Sequence, residues 1–216
     1  MIEHSLVRAL INARFLLMLL VLTLLWTPAP AKDGPVLVVV GDSLTAGLGL
    51  SPEQSFPSRL QAHLLAQGID VRVENAGVSG NTTADGLARL DWAVGADADA
   101  VILELGANDA LRGLPPETAE ANLDAMLQRL KQRKLPVLMA GMMAPRNLGA
   151  EYVGAFDAIY ARLAKKYEVP LYPFFLDGVA QDPGLNQPDM LHPNEAGVEV
   201  IVDRIAPQVI ALLRGI

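Results

Sequence analysis

Two short strings carry residues able to do chemistry. Gly41-Asp42-Ser43-Leu44 follows directly on the apolar run 36–40, and Asp189 precedes His192 by three positions in Pro188-Asp189-Met190-Leu191-His192-Pro193. A serine hydroxyl becomes a nucleophile when a base takes its proton. An imidazole ordinarily titrates near neutrality and suits that task. A carboxylate behind the imidazole holds its tautomer and stabilises the imidazolium. Ser43, His192 and Asp189 together are therefore candidates for acyl transfer. Pro193 disfavours the α region at His192 and so restricts its backbone. The tetrahedral oxyanion of such a reaction needs hydrogen-bond donors. The backbone amides of Ser43 and Gly80 and the side-chain amide of Asn108 are the candidates.

These residues are far apart in sequence, so the fold must gather them. Short apolar runs at 36–40, 71–74, 100–105, 136–140 and 170–172 read as strands. Between them lie segments of helical periodicity. In 116–134, Ala119, Leu123, Met126, Leu127 and Leu130 fall on one face, and Phe156, Ile159, Tyr160, Leu163 and Tyr167 repeat the pattern. A last helix begins near Pro193-Asn194, buries Val198, Ile201, Val202 and Ile205, and is expected to kink or break at Pro207. Alternating strands and helices imply a parallel sheet covered on both faces, a three-layer α/β/α sandwich. In such a sheet the loops after the strands share one rim. The segments 41–43, 77–81, 106–109 and 189–192 then converge on one crevice.

Most other polar residues have plainer readings. Asp42 reads as a structural hydrogen-bonding residue and Asp109 as a loop or capping residue that supports the site. His63 falls at helical spacing from Phe56 and near Leu60 and Leu64, and reads as a partly buried packing histidine rather than a second base. Leu111, Arg112, Met142 and Met143 are weaker substrate-binding candidates. The methionines either line an acyl groove, where flexible side chains suit varied chains, or belong to the core. Arg112 and Arg146 either meet a phosphate headgroup or stand in solvent.

With 216 residues, 51% of them hydrophobic, the chain can build one domain with a sizeable core. A net charge of −7 with no basic patch argues against nucleic acid as a partner. The absence of cysteine excludes disulfides, a thiol nucleophile and thiolate metal sites. Arg8 and Arg14 precede the uncharged apolar run 15–26, and Thr27-Pro28-Ala29-Pro30-Ala31 carries a small-x-small cleavage pattern. Residues 1–31 thus read as a signal peptide cut after Ala31, since twelve apolar residues are fewer than the roughly 20 a membrane span needs. Residue 32 is Lys, so a lipoprotein anchor is not indicated. With Glu3, Arg8 and Arg14 removed, residues 32–216 carry a charge of −8. The expected location is the periplasm or the medium.

Gly41-Asp42-Ser43-Leu44, Gly80, Gly106-Ala107-Asn108-Asp109 and Asp189-Met190-Leu191-His192 resemble the four sequence blocks of the SGNH, or GDSL, hydrolases. Gly86-Leu87-Ala88-Arg89-Leu90, Leu111-Arg112-Gly113 and the 169–175 stretch are similar to the bacterial periplasmic acyl-thioesterases, arylesterases and lysophospholipases of that family. The resemblance covers nearly all of 32–216 and departs at no triad or oxyanion position. It implies a flavodoxin-like five-stranded parallel sheet and a Ser-His-Asp triad that needs no metal or other cofactor. It also implies hydrolysis of acyl esters and thioesters through an acyl-enzyme. The expected partners are small acyl esters, thioesters or lysophospholipids, with transient contact to lipid aggregates, and the expected state is a monomer.

Three other readings compete less well. A metal-dependent phosphoryl transferase would use Asp42, but the residue two positions on is Leu44 where an Asp-x-Asp pattern needs a second aspartate. No Gly-x-Ser-x-Gly elbow supports the classical α/β-hydrolase fold. A non-catalytic binding module would be expected to lose catalytic residues, and all five are in place.

Overall fold

The computed structural model describes residues 34–216. The leader expected at 1–31 lies outside the described residues. Five strands form one sheet: β1 (Val36–Gly41), β2 (Arg72–Gly77), β3 (Ala100–Glu104), β4 (Val137–Ala140) and β5 (Leu171–Tyr172). All pair in parallel, in the order β2-β1-β3-β4-β5. This is the three-layer α/β/α sandwich that the alternating pattern implies, with the flavodoxin-like sheet that the family resemblance implies.

Among the described residues, seven α-helices connect or follow the strands. They are α1 (Ser43–Ala46), α2 (Phe56–Ala66), α3 (Thr83–Ala93), α4 (Ala107–Leu111), α5 (Pro116–Gln132), α6 (Ala150–Tyr167) and α7 (Glu195–Leu213). Helices α2 and α7 pack together, as do α3 with α5 and α5 with α6. The strands β1, β3 and β4 are buried along their whole length. Their runs of Val, Leu, Ile, Met and Ala suit a sheet covered on both sides, where no alternation with polar residues is possible. Edge strand β2 is partly exposed and carries Arg72, Glu74 and Asn75.

Helix α7 runs continuously through Pro207, so the expected break is absent. A proline inside a helix removes one backbone donor. Here Val198, Ile201, Val202, Ile205, Ala206 and Val209 are all buried, on both sides of the proline. Burial of that stripe outweighs the lost bond. Among the described residues no helix is long and apolar enough to cross a membrane.

The strand order fixes where a ligand fits. The chain moves from β1 outward to β2, then crosses back over β1 to β3. The connections therefore diverge between β1 and β3, leaving a crevice at their C-terminal ends.

Candidate active site

Ser43 is the first residue of α1 at the end of β1. Asp42 caps that helix, its carboxylate accepting the Leu44 amide at 3.0 Å. Ser43 therefore starts the helix and its hydroxyl is left to point elsewhere. The Ser43 Oγ lies 2.9 Å from His192 Nε2. On the far side of the ring, His192 Nδ1 lies 2.6 Å from Asp189 Oδ2.

The pair at 189 and 192 is built locally. Asp189 Oδ1 accepts the backbone amides of Leu191 at 2.9 Å and His192 at 3.0 Å. Met190 sits in left-handed backbone, φ 59°, which closes the turn. This is an aspartate-centred turn rather than a helical one. The loop is pinned by Gln187 N to His192 O at 2.7 Å and by a bridge of Asn186 with Pro193. Asn194 then caps α7 by accepting the Gly197 amide at 3.0 Å. The hydrogen bonds from His192 and Leu191 hold the Asp189 carboxyl down at about 2, the His192 backbone amide being the largest cause.

The third loop enters through Gly106, at φ 123°. A side chain there is strained by the backbone alone, and its Cβ would overlap the Tyr160 hydroxyl. That hydroxyl donates to the Leu105 carbonyl at 2.9 Å. Two residues on, Asn108 Nδ2 donates to Asp42 Oδ2 at 3.1 Å and to the Asn81 carbonyl at 3.0 Å. It lies beside Ser43 and Gly80 in the lining of one cavity. Gly80, at φ 82°, is the turn of the second loop.

Beneath Ser43 lie two buried carboxyls. Burial is the main cause that pushes Asp42 up to about 6. Glu104, at the end of β3, is pushed well up by burial and then by Asp42. Its Oε2 accepts the Thr45 hydroxyl at 2.6 Å, and its Oε1 has no protein partner. Asp42 does not line the cavity.

The cavity has a volume of about 610 Å³, within the usual range for small-molecule sites. Around Ser43, His192, Gly80 and Asn108 its walls are mostly apolar, with Leu48, Leu111, Met142, Met143, Phe174, Leu176 and Ala180 beside the polar Gln181 and Asn186. Met142 is buried, whereas Met143 and Leu111 stand about half exposed at the mouth. Arg112 is not in the lining; its guanidinium donates to the Gly80 carbonyl at 2.8 Å. Arg146 is in the lining and pairs with Asp157 at 2.6 Å.

The GDSL-like lipase/acylhydrolase family model matches residues 39–200. The chain belongs to this family. Esterase TesA of Pseudomonas aeruginosa is 40% identical over 195 residues, covering 90% of this chain and 96% of that protein. The thioesterase 1/protease 1/lysophospholipase L1 of Escherichia coli K12 is 38% identical, covering 90% and 92%. The crystal structure of AlinE4, an SGNH-hydrolase family esterase, superposes with a TM-score of 0.71 at 45% identity, covering 84% and 97%. An ester hydrolase of the GDSL-like class is thus the enzyme in hand.

Two of the plainer sequence readings match the geometry. The Asp109 carboxylate accepts the Thr83 amide at 2.8 Å and its hydroxyl at 2.6 Å, so it ties the start of α3 to α4. His63 lies away from the cavity, with Gln67 at 2.6 Å and Asp203 of α7 at 3.4 Å, at the side of α2 rather than in the core. Leu48, Phe174, Leu176 and Ala180 were not singled out from sequence. Nothing in an apolar loop residue distinguishes a cavity wall from core, and Met142 beside Met143 illustrates both fates.

Proposed function

We propose that this hydrolase cleaves acyl esters and thioesters through Ser43, His192 and Asp189, with an acyl-enzyme intermediate. The observation that carries the reading is the unbroken line Asp189 Oδ2, His192 Nδ1, His192 Nε2, Ser43 Oγ, at 2.6 and 2.9 Å. Ser43 Oγ attacks the carbonyl carbon while His192 Nε2 takes its proton. The tetrahedral oxyanion is held by the Ser43 and Gly80 amides and by Asn108 Nδ2. Because Asn108 already donates to Asp42 and Asn81, it arrives oriented and shares one of these bonds with the oxyanion. His192 then returns the proton to the leaving alcohol or thiol. In the second half, water loses a proton to His192 and attacks the acyl-enzyme, Ser43 regains its proton, and a carboxylic acid leaves.

The apolar walls support a fatty acyl group beside Ser43. Leu48, Leu111, Met143, Met190 and Leu191 combine a place in the lining with an exposed face, which supports transient contact with a lipid aggregate. We place the protein in the periplasm or the medium as one domain spanning 32–216, released by cleavage after Ala31, and acting as a monomer. Outside the cytoplasm, lysophospholipids and other fatty acyl esters are the natural substrates, since acyl-CoA is mainly an intracellular thioester. Asp42 is enclosed and spent on Leu44 and Asn108, which disfavours it as a phosphoryl acceptor.

The test is intact mass of residues 32–216 after a fluorophosphonate probe, beside a chromogenic acyl-ester assay. One adduct on the wild type, none on Ser43→Ala, and turnover indifferent to EDTA are expected. Folded protein with neither adduct nor turnover overturns the reading.

A further inference from the structure

Arg89 lies on α3, outside the cavity, yet its guanidinium reaches three separate segments at the rim of the site. Nε donates to Asn81 Oδ1 at 2.6 Å, Nη1 to the Ala76 carbonyl at 2.9 Å, and Nη2 to the Gly41 carbonyl at 2.9 Å. Gly41 and Ala76 lie at the ends of neighbouring strands β1 and β2. Gly41 stands two residues before Ser43. Asn81 follows Gly80, and its carbonyl receives Asn108 Nδ2 at 3.0 Å. Asn108 in turn reaches Asp42 at 3.1 Å. One cation therefore touches the strand that delivers the nucleophile and, through Asn81, both the Gly80 loop and the Asn108 amide.

We propose that Arg89 is a positioning residue for the oxyanion hole, fixing Gly80 and Asn108 relative to Ser43 through Asn81. This rests on the proposed roles of Ser43, Gly80 and Asn108. The planar guanidinium presents five donors in a rigid fork. Three acceptors are met by three different nitrogens of the fork, whereas an ammonium would have to gather all three around a single nitrogen. The acceptors are two main-chain carbonyls at strand ends and one amide oxygen, none of which is paired to Arg89 as a counter-ion. Its role is thus geometric, not charge neutralisation. An oxyanion donor works only when it is aimed at where the charge will develop, and a shift of about 1 Å can cost about 10²-fold in rate. A residue that aims the donors acts on the transition state, so its loss lowers kcat more than it raises KM.

The test is a double-mutant cycle on a soluble acyl ester. Asn108→Ala alone is expected to lower kcat by about 10²–10³. Arg89→Met alone is expected to lower kcat about 10–100-fold, with KM within about threefold. The double variant should lose clearly less than the product of the two single losses, because the part of the Arg89 effect that passes through Asn108 cannot be lost twice. Arg89→Lys should fall between wild type and Arg89→Met, and added guanidinium should raise kcat of Arg89→Gly without affecting wild type. If the losses of Arg89→Met and Asn108→Ala multiply, or if Arg89→Met raises KM alone, the proposal is overturned. If Arg89→Met does not fold, Arg89→Lys with wild-type kcat overturns it as well. An Asn108→Ala enzyme with unchanged kcat instead overturns the oxyanion assignment itself, a separate failure.

Discussion

At the scale of the residue, the proposed mechanism separates groups that react from groups that aim. Ser43→Ala and His192→Ala remove members of a unit whose parts do not act independently, so each should lower kcat by about 10⁴-fold or more. Circular dichroism and melting of both variants should match the wild type, since neither side chain supports the core. Asn108 is read differently: in its proposed role it would meet the reacting atoms only as charge develops. Its alanine variant should keep KM and lose kcat, and a variant that raised KM alone would remove Asn108 from the oxyanion hole. The types and spacing of Ser43, Asp189 and His192 made this chemistry legible in the sequence. The neighbours of Asp42 were not legible: its contacts to Leu44 and Asn108 combine a step of two residues with one of 66.

At the scale of the element, three of the four site loops are fixed by a side-chain-capped helix start. Asp42 caps α1, Thr82 caps α3 by accepting the Asp85 amide, and Asn194 caps α7. Asn194 does more than cap, since its Nδ2 also donates to the Gly184 carbonyl at 2.9 Å. Asn194→Ala should therefore cost about 1–2 kcal/mol in chemical denaturation, a cap with an added loop bond. It should also lower kcat severalfold, because His192 is two residues away. Unchanged stability would show that the loop is held by the Asn186–Pro193 bridge alone. Asn194 was readable as a helix start from its type. The continuity of α7 through Pro207 was not, because burial on both sides of the proline is a tertiary fact.

At the scale of the whole molecule, burying a carboxyl under the nucleophile sets a pH dependence of stability. Asp42 is pushed up to about 6 in the folded protein from an ordinary 3.8. A raised carboxyl favours folding while protonated. Its contribution is complete below the unfolded value and is lost as pH rises through the folded one. The loss, on the order of 3 kcal/mol, falls between about pH 4 and 6. Asp189 has the opposite sign: held at about 2, it supports folding above 3.8, and that support fades as pH falls towards 2. Asp42→Asn should flatten the decline between pH 4 and 6 in denaturation series. It should also lower kcat, since an amide in place of the carboxylate presents a donor to Asn108. A stability profile identical to wild type would show that Asp42 does not carry the effect.

The sequence by itself determined the succession of strands with the helices between them, the sheet class and the candidates for reaction, because these depend on local periodicity and residue type. Short uniform apolar runs set between helical segments fit buried parallel strands, and loops after such strands share one rim. The tertiary structure alone decided what each loop residue does there. Arg112 turns to the Gly80 carbonyl, Met142 closes the wall while Met143 stands at the mouth, and Arg89 spans β1, β2 and the Gly80 loop. These are outcomes of distance and desolvation between segments tens of residues apart. Neither is a property of a residue's type or of its neighbours along the chain.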